Sequence, residues 1–313
     1  MRIVLTNPTV TWRLLGFLAL VVAGCKPAAT PNEEPVYGAK PLSEDKPVYA
    51  FAINPTHNPS RMFEIFGPLA DYINTQATNF SLRFEASESY GAFEEKLAKR
   101  TLHIALANPY QTLQAEKTGY RVFAKRGDDE RFRGLIIVRK DSGITKISDL
   151  KGAVISFPSA TSMAAAMMQK YYLKMHGLDV DKDAQPLYVN NQDSALMNVY
   201  QGRAQAAATW PPAWELFAEA HPAIAAALVV QWETEPLVSN SLMVRDDVPE
   251  AHWQQVRELL LNLHTHDAGR ALLARMKLAR FDPATSATYE PVREFVKKYE
   301  AVFGPLPVPK EIP

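Results

Sequence analysis

The chain carries one cysteine in 313 residues, Cys25. No disulfide framework can form within it, and nothing beyond residue 25 can serve as a thiol nucleophile. Net charge is missing as well, since 34 Lys and Arg balance 34 Asp and Glu. A protein that grips nucleic acid through its phosphates needs a basic excess, so nucleic acid is excluded as a partner. There is no Gly-x-Ser-x-Gly elbow, no His-Glu-x-x-His and no glycine-rich phosphate loop. The common hydrolase, metalloprotease and nucleotide-binding readings fall with them, and no residue is assigned to catalysis or to a cofactor. His264-Thr265-His266-Asp267 does not make a metal site, because helical ligand pairs are three or four residues apart. The one sustained apolar run near the start, Leu14–Val22, is too short to remain in a bilayer as a spanning helix.

That run has the length of a signal-peptide core, and Arg2 and Arg13 precede it. It ends in Val22-Ala23-Gly24-Cys25, which matches the bacterial lipobox and marks Cys25 for lipidation. Residues 1–24 are expected to be removed. They hold two arginines and no acids, leaving 32 basic against 34 acidic residues. Residues 25–47 are rich in proline and charge without periodicity, as in a flexible tether. The expected location is periplasmic and lipid-anchored, with Lys26 pointing to the outer membrane by the sorting pattern of Gram-negative bacteria.

From Val48 the chain alternates strand and helix. Val48–Ile53 reads as a strand, and Phe63, Phe66, Leu69, Ala70 and Ile73 recur at helical spacing. A strand at Phe80–Ala86, a helix at Tyr90–Arg100 and a strand at Leu102–Ala107 follow. Leu135–Val138 and Val154–Phe157 flank turn chemistry at Asp141-Ser142-Gly143. This alternation predicts an α/β protein of two doubly wound lobes with mostly parallel sheets. Residues 48–135 and 240–313 are expected to form lobe one and 136–239 lobe two, joined by two extended hinge crossings. Ligands of such sheets sit beyond the carboxyl ends of the strands. That rule directs attention to Asn54–Asn58, Ser87–Tyr90, Asn108–Tyr110, Pro158–Ser162, Val189–Asp193 and Ala206–Trp210. Thr161 or Ser162 is a suitable N-cap for the helix-forming run Met163–Met168, and a helix start attracts anions. Met163 and Met167, at i and i+4, read more readily as core than as ligand contacts.

VRKDSGI and DLKG, followed by Pro158-Ser159-Ala160-Thr161-Ser162, resemble the start of the second lobe in phosphonate/phosphite-type periplasmic solute-binding proteins. ASESYGAFEEKLAKRTLHIALANPY, NNQDSALMNVYQGRAQAAA and the stretch from Phe281 to Arg293 resemble further family segments, in order. The resemblance implies a type II periplasmic-binding-protein fold that takes a small molecule into an interlobe cleft, closes on a hinge and delivers its cargo to a membrane transporter permease. It implies a monomer and, by default, a phosphorus oxyanion as ligand. By position it implies ligand contacts from Tyr90, Thr161, Ser162, Gln192, Asp193 and Asn240. Asn108, Tyr110 and Trp210, at strand ends, are further candidates. Ala160, Met163, Gln192 and Asn240 stand where the family has a serine, a glycine, a histidine and an acid. These departures keep open a larger apolar ligand such as a lipid, handed to a trafficking system, and a ligand-sensing subunit of a membrane signalling protein.

Overall fold

The computed structural model describes residues 46–306. The signal segment, Cys25 and most of the expected tether lie outside the described residues.

Eleven strands form two sheets among the described residues. They are β1 (Val48–Ile53), β2 (Ser81–Glu85), β3 (Ile104–Ala107), β4 (Tyr120–Arg126), β5 (Leu135–Arg139) and β6 (Val154–Phe157). Then come β7 (Gln185–Tyr188), β8 (Ala206–Thr209), β9 (Leu228–Glu233), β10 (Ser241–Arg245) and β11 (Phe281–Pro283). One sheet has the order β11-β4-β10-β3-β1-β2, the other β7-β6-β8-β5-β9. These are two α/β lobes of the type II binding-protein kind.

The sheets are more mixed than a purely alternating pattern suggests. β1 runs parallel to β2 and β3, and β6 parallel to β7 and β8. However, β10 lies between β3 and β4 and is antiparallel to both. Likewise β5 is antiparallel to β8 and β9. Both strands are entered directly from a crossing between the sheets, so they run against the crossover-connected strands.

Burial alternates with side-chain period two. Tyr49, Phe51 and Ile53 of β1 enter one apolar cluster, while Ala50 and Ala52 enter another on the opposite face. Leu135 and Ile137 of β5 are divided in the same way from Ile136 and Val138. Helices cover both faces, which is why these strands read as unbroken apolar runs. Met163 and Met167 are fully buried and join Ala105, Phe132, Trp210 and Met243 in one cluster that links the two lobes. Each contributes about 1.5–3 kcal/mol by burial, so their role is packing.

The chain passes between the sheets twice, over residues 127–134 and 234–240, and the two passages are tied to each other. Gly134 N–H donates to Thr234 Oγ1 (2.8 Å) and Thr234 N–H to Gly134 O (2.9 Å). Leu237 N–H donates to Phe132 O (2.9 Å). A Cβ on Gly134 would lie 2.5 Å from Cδ of Gln169. Only glycine permits that approach.

Candidate functional site

Strand ends from both lobes meet around one small cavity. Lobe one brings Asn54 after β1, Tyr90, Asn108 after β3 and Asn240 before β10. From lobe two come Ser162, Ala164, Ala165, Gln192 and Trp210 after β8. Three of the helices that start at the cleft carry a side-chain cap. Ser89 Oγ accepts from Ala92 N–H (3.1 Å), Asn108 Oδ1 from Gln111 N–H (3.1 Å) and Asn191 Oδ1 from Ser194 N–H (2.8 Å). These caps fix the helix starts, and with them the side chains that reach the cavity.

The helix after Ser162 begins differently. Neither Thr161 nor Ser162 caps it with a side chain. Residues 163–167 form a π-helical turn in which Met167 N–H reaches back to Ser162 O (3.1 Å), and Ala165 departs from helical geometry. The wider turn is pinned by Gln169, whose Nε2 donates to Ala164 O (2.6 Å) and Thr209 O (2.9 Å). The first N–H groups of any helix lack intrahelical acceptors, so this start still offers donors to an anion.

The hydroxyl and amide groups around the cavity form one directed network. Thr209 Oγ1 donates to Gln192 Oε1 (2.6 Å), which turns the Gln192 amide so that its Nε2 faces the Tyr90 hydroxyl (3.5 Å). Ser162 Oγ also donates to that hydroxyl (3.4 Å), and Asn54 bonds to it as well. Burial raises the Tyr90 pKa, an effect these donors only partly offset, so Tyr90 is a neutral phenol. A neutral phenol can both accept and donate a hydrogen bond. Asn240 Nδ2 donates to Asn54 Oδ1 (3.3 Å), while Asn240 Oδ1 is buried without a partner. Trp210 Nε1 is likewise buried and unpartnered. A buried unpaired donor or acceptor costs about 1–3 kcal/mol, and both of these residues line the cavity.

Three of the residues singled out from sequence lie elsewhere. Thr161 Oγ1 donates to Glu94 Oε1 (2.5 Å), which also accepts from Gln111 Nε2 (3.0 Å). Burial raises the Glu94 pKa, and the bonds from Thr161 and Gln111 oppose the rise. Tyr110 sits beside them on a separate, largely apolar hollow of about 240 Å³, where burial pushes its phenol up to about 12. Asp193 accepts from or pairs with His57 Nδ1 (2.9 Å), a buried lobe-one histidine. Thr161–Glu94 and Asp193–His57 are contacts between lobes, as are Gln192 N–H to Thr56 O (3.1 Å) and Asn108 Nδ2 to Thr161 O (3.1 Å). Together they tie the two lobes across the cleft. Glu94 and Phe132 were not singled out from sequence, and His57 was marked only as part of the loop Asn54–Asn58; their contacts at the cleft reveal them.

His266, part of the His-x-His pair, stacks on Tyr72 and caps a helix by accepting from Gly269 N–H (3.0 Å). No cluster of three metal-ligating side chains occurs among the described residues.

Residues 51–289 match the profile of the family described as ABC transporter, phosphonate, periplasmic substrate-binding protein. The chain belongs to that family. A curated relative, the probable ABC transporter phosphite binding protein PhnD1 of Prochlorococcus marinus, is 23% identical over 194 residues, 58% of this chain. The match spans 65% of that relative's length. Two solved structures share the fold. The binding-protein component of an ABC phosphonate transporter from Pseudomonas aeruginosa superimposes with a TM-score of 0.75 at 18% identity, covering 84% of this chain and 91% of that one. PhnD1 of Prochlorococcus marinus in complex with methylphosphonate gives 0.74 at 19% identity, covering 80% and 97%. In this phosphonate-type chain the cavity lies at the carboxyl ends of the strands in both lobes, as the fold rule requires.

Proposed function

We propose that this family member captures a small phosphorus oxyanion, a phosphonate or phosphite, between its lobes and delivers it to an ABC permease. The observation that carries the reading is the paired orphan groups at the cavity, Trp210 Nε1–H as donor and Asn240 Oδ1 as acceptor. Tyr90 O–H and the helix start at Met163 add donors. A partly protonated oxyanion presents both acceptor oxygens and a P–OH donor and satisfies all of them. The space open to the centre of a water-sized sphere is only about 10 Å³, on the scale of one such sphere. That leaves no room for the lipid-sized alternative between the lobes as they stand. Ligand contacts are assigned to Tyr90, Asn108, Ser162, Gln192, Trp210 and Asn240, and clasping roles to Thr161, Asp193, Glu94 and His57. The protein acts as a monomer and performs binding, not catalysis.

Titration calorimetry with phosphite, methylphosphonate and a detergent-dispersed lipid extract tests this reading. Saturable binding of an oxyanion and none of the lipid is expected. Oxyanion binding absent at millimolar concentration would overturn it. We further propose that Cys25 bears a lipid anchor that holds the protein at the periplasmic face of a membrane. Cys25→Ser should then leave an unprocessed precursor. Normal processing and membrane retention of that variant would remove the anchor from the proposal.

A further inference from the structure

The lining of the cavity contains no cationic side chain, yet the proposed ligand is an anion. A candidate for a counter-charge stands one layer back. Arg126, at the end of β4, is 3% exposed, and its guanidinium carbon lies 5.2 Å from the centre of the Trp210 ring. Its Nη2 donates to two backbone carbonyls, Met276 O (3.0 Å) and Lys277 O (3.2 Å). Among the described residues it pairs with no carboxylate. The charges that act on it are Asp128 and Arg131, of opposite sign, 3.9 Å from each other. Burial pulls its pKa down to about 10, which leaves it fully charged at neutral pH. Of the two charges, Asp128 acts the more strongly, yet no carboxylate among the described residues bonds to the guanidinium, so its charge is available to act on groups nearby.

We propose that Arg126 is the counter-charge of the bound oxyanion, acting through Trp210. It is a positioning residue that does not touch the ligand. The guanidinium over the indole face draws electron density toward itself and strengthens the ring N–H as a donor. That N–H is the buried, unpartnered donor at the cavity. Trp210 is therefore gripped from behind by a cation and offers its polar edge to an anion in front. The arrangement gives the site a preference that grows with ligand charge, while excluding the direct ion pair that would slow release. This inference rests on the oxyanion reading of the same cavity.

The effect is large enough to measure. With a separation on the order of 9 Å and an effective dielectric of about 20, one charge shifts the affinity of a singly charged ligand about 20-fold. The shift is larger again for a doubly charged one.

The experiment compares wild type, Arg126→Lys and Arg126→Gln by calorimetry with methylphosphonate. Each is measured where the ligand is singly charged and where it is doubly charged, and the ratio of variant to wild-type Kd is read. Arg126→Gln is expected to lose about 20-fold for the monoanion and distinctly more for the dianion, with Arg126→Lys recovering most of the loss. A purely structural role, through Met276 and Lys277, would weaken both charge states equally, and that result overturns the inference. A second measurement does not depend on how the Gln variant folds. The Trp210 indole N–H resonance of the wild type, assigned by its loss in Trp210→Phe, should move downfield on adding methylphosphonate. An unmoved resonance in a protein that binds the ligand overturns the inference and leaves the oxyanion reading intact. Failure of the wild type to bind any oxyanion overturns both.

Discussion

Replacing Thr161 by Val tests whether the two neighbouring hydroxyls of the loop have separate tasks. The substitution keeps the side-chain shape and removes the donor to Glu94, together with a bond to Ser159 Oγ (2.9 Å) inside the same loop. The bond to Glu94 is short, at 2.5 Å, runs from lobe two to lobe one, and ends on a carboxyl group shielded from water. Leaving a buried acceptor without its donor costs about 1–3 kcal/mol. The loss shifts the balance between closed and open forms by about 5- to 150-fold. Since only the closed form holds the ligand from both sides, apparent affinity falls with the closed fraction. Thr161 is absent from the cavity wall, so the loss should be the same for phosphite and methylphosphonate. Ser162→Ala, by contrast, removes a donor from the Tyr90 network and should affect the two ligands unequally. Calorimetry gives the affinities, and small-angle scattering gives the radius of gyration with and without ligand. If Thr161→Val leaves both affinities unchanged, or alters the preference between ligands, the division of labour proposed for this loop is wrong.

Further outcomes follow from the same geometry. The pKa of Glu94 is raised by burial in the closed form. Its contribution to closure is thus complete below the ordinary glutamate range and declines as pH rises through the raised value. Affinity relative to Glu94→Gln should fall over that interval, and a flat ratio from pH 4 to 8 would show that Glu94 does not report closure. Gln169→Leu strands the carbonyls of Ala164 and Thr209 that its amide satisfies. Each orphan costs about 1–3 kcal/mol, and the melting temperature should drop by several degrees, read by calorimetric melting. Gly134→Ala places a Cβ 2.6 Å from the same amide nitrogen. The combined Gly134→Ala, Gln169→Leu variant should therefore be less destabilised than the sum of the single changes, and additivity would separate the two residues.

Much of the fold was legible because strand and helix alternate with clear periods. Val154–Phe157 and Val48–Ile53 stand where the apolar runs place them. The antiparallel entries of β5 and β10 were not legible, since strand direction in a sheet depends on where the chain re-enters, not on side-chain pattern. At the site, Tyr90, Asn108, Ser162, Gln192, Trp210 and Asn240 converge on one cavity because they follow strands, as the fold rule anticipates. What sequence could not show is which way a side chain turns once the lobes meet. Thr161 and Ser162 are adjacent, yet one reaches Glu94, 67 positions away, and the other Tyr90. The helix-cap role expected of them gave way to these partners across the cleft. His57 lies in the marked loop Asn54–Asn58, but its partner was illegible for the same reason, being 136 positions distant.

The placement of β10 also determines the order in which the molecule can assemble. The five strands β5 to β9 are contiguous in the chain, so the second sheet is complete once residue 233 is available. The first sheet cannot close at that stage. Its strands β3 and β4 do not pair with each other and wait for residues 241–245 to fill the gap between them. Until then β3 and β4 each present an unpaired edge, and such edges invite pairing with other chains. Contacts between segments far apart in sequence form late, because loop closure must precede any gain from them. Chains truncated before residue 241 should accordingly retain a cooperative second lobe and expose a divided first one. In the full chain the slow refolding phase should respond to substitutions in β10, such as Met243→Ala, more strongly than to substitutions of similar burial in β6.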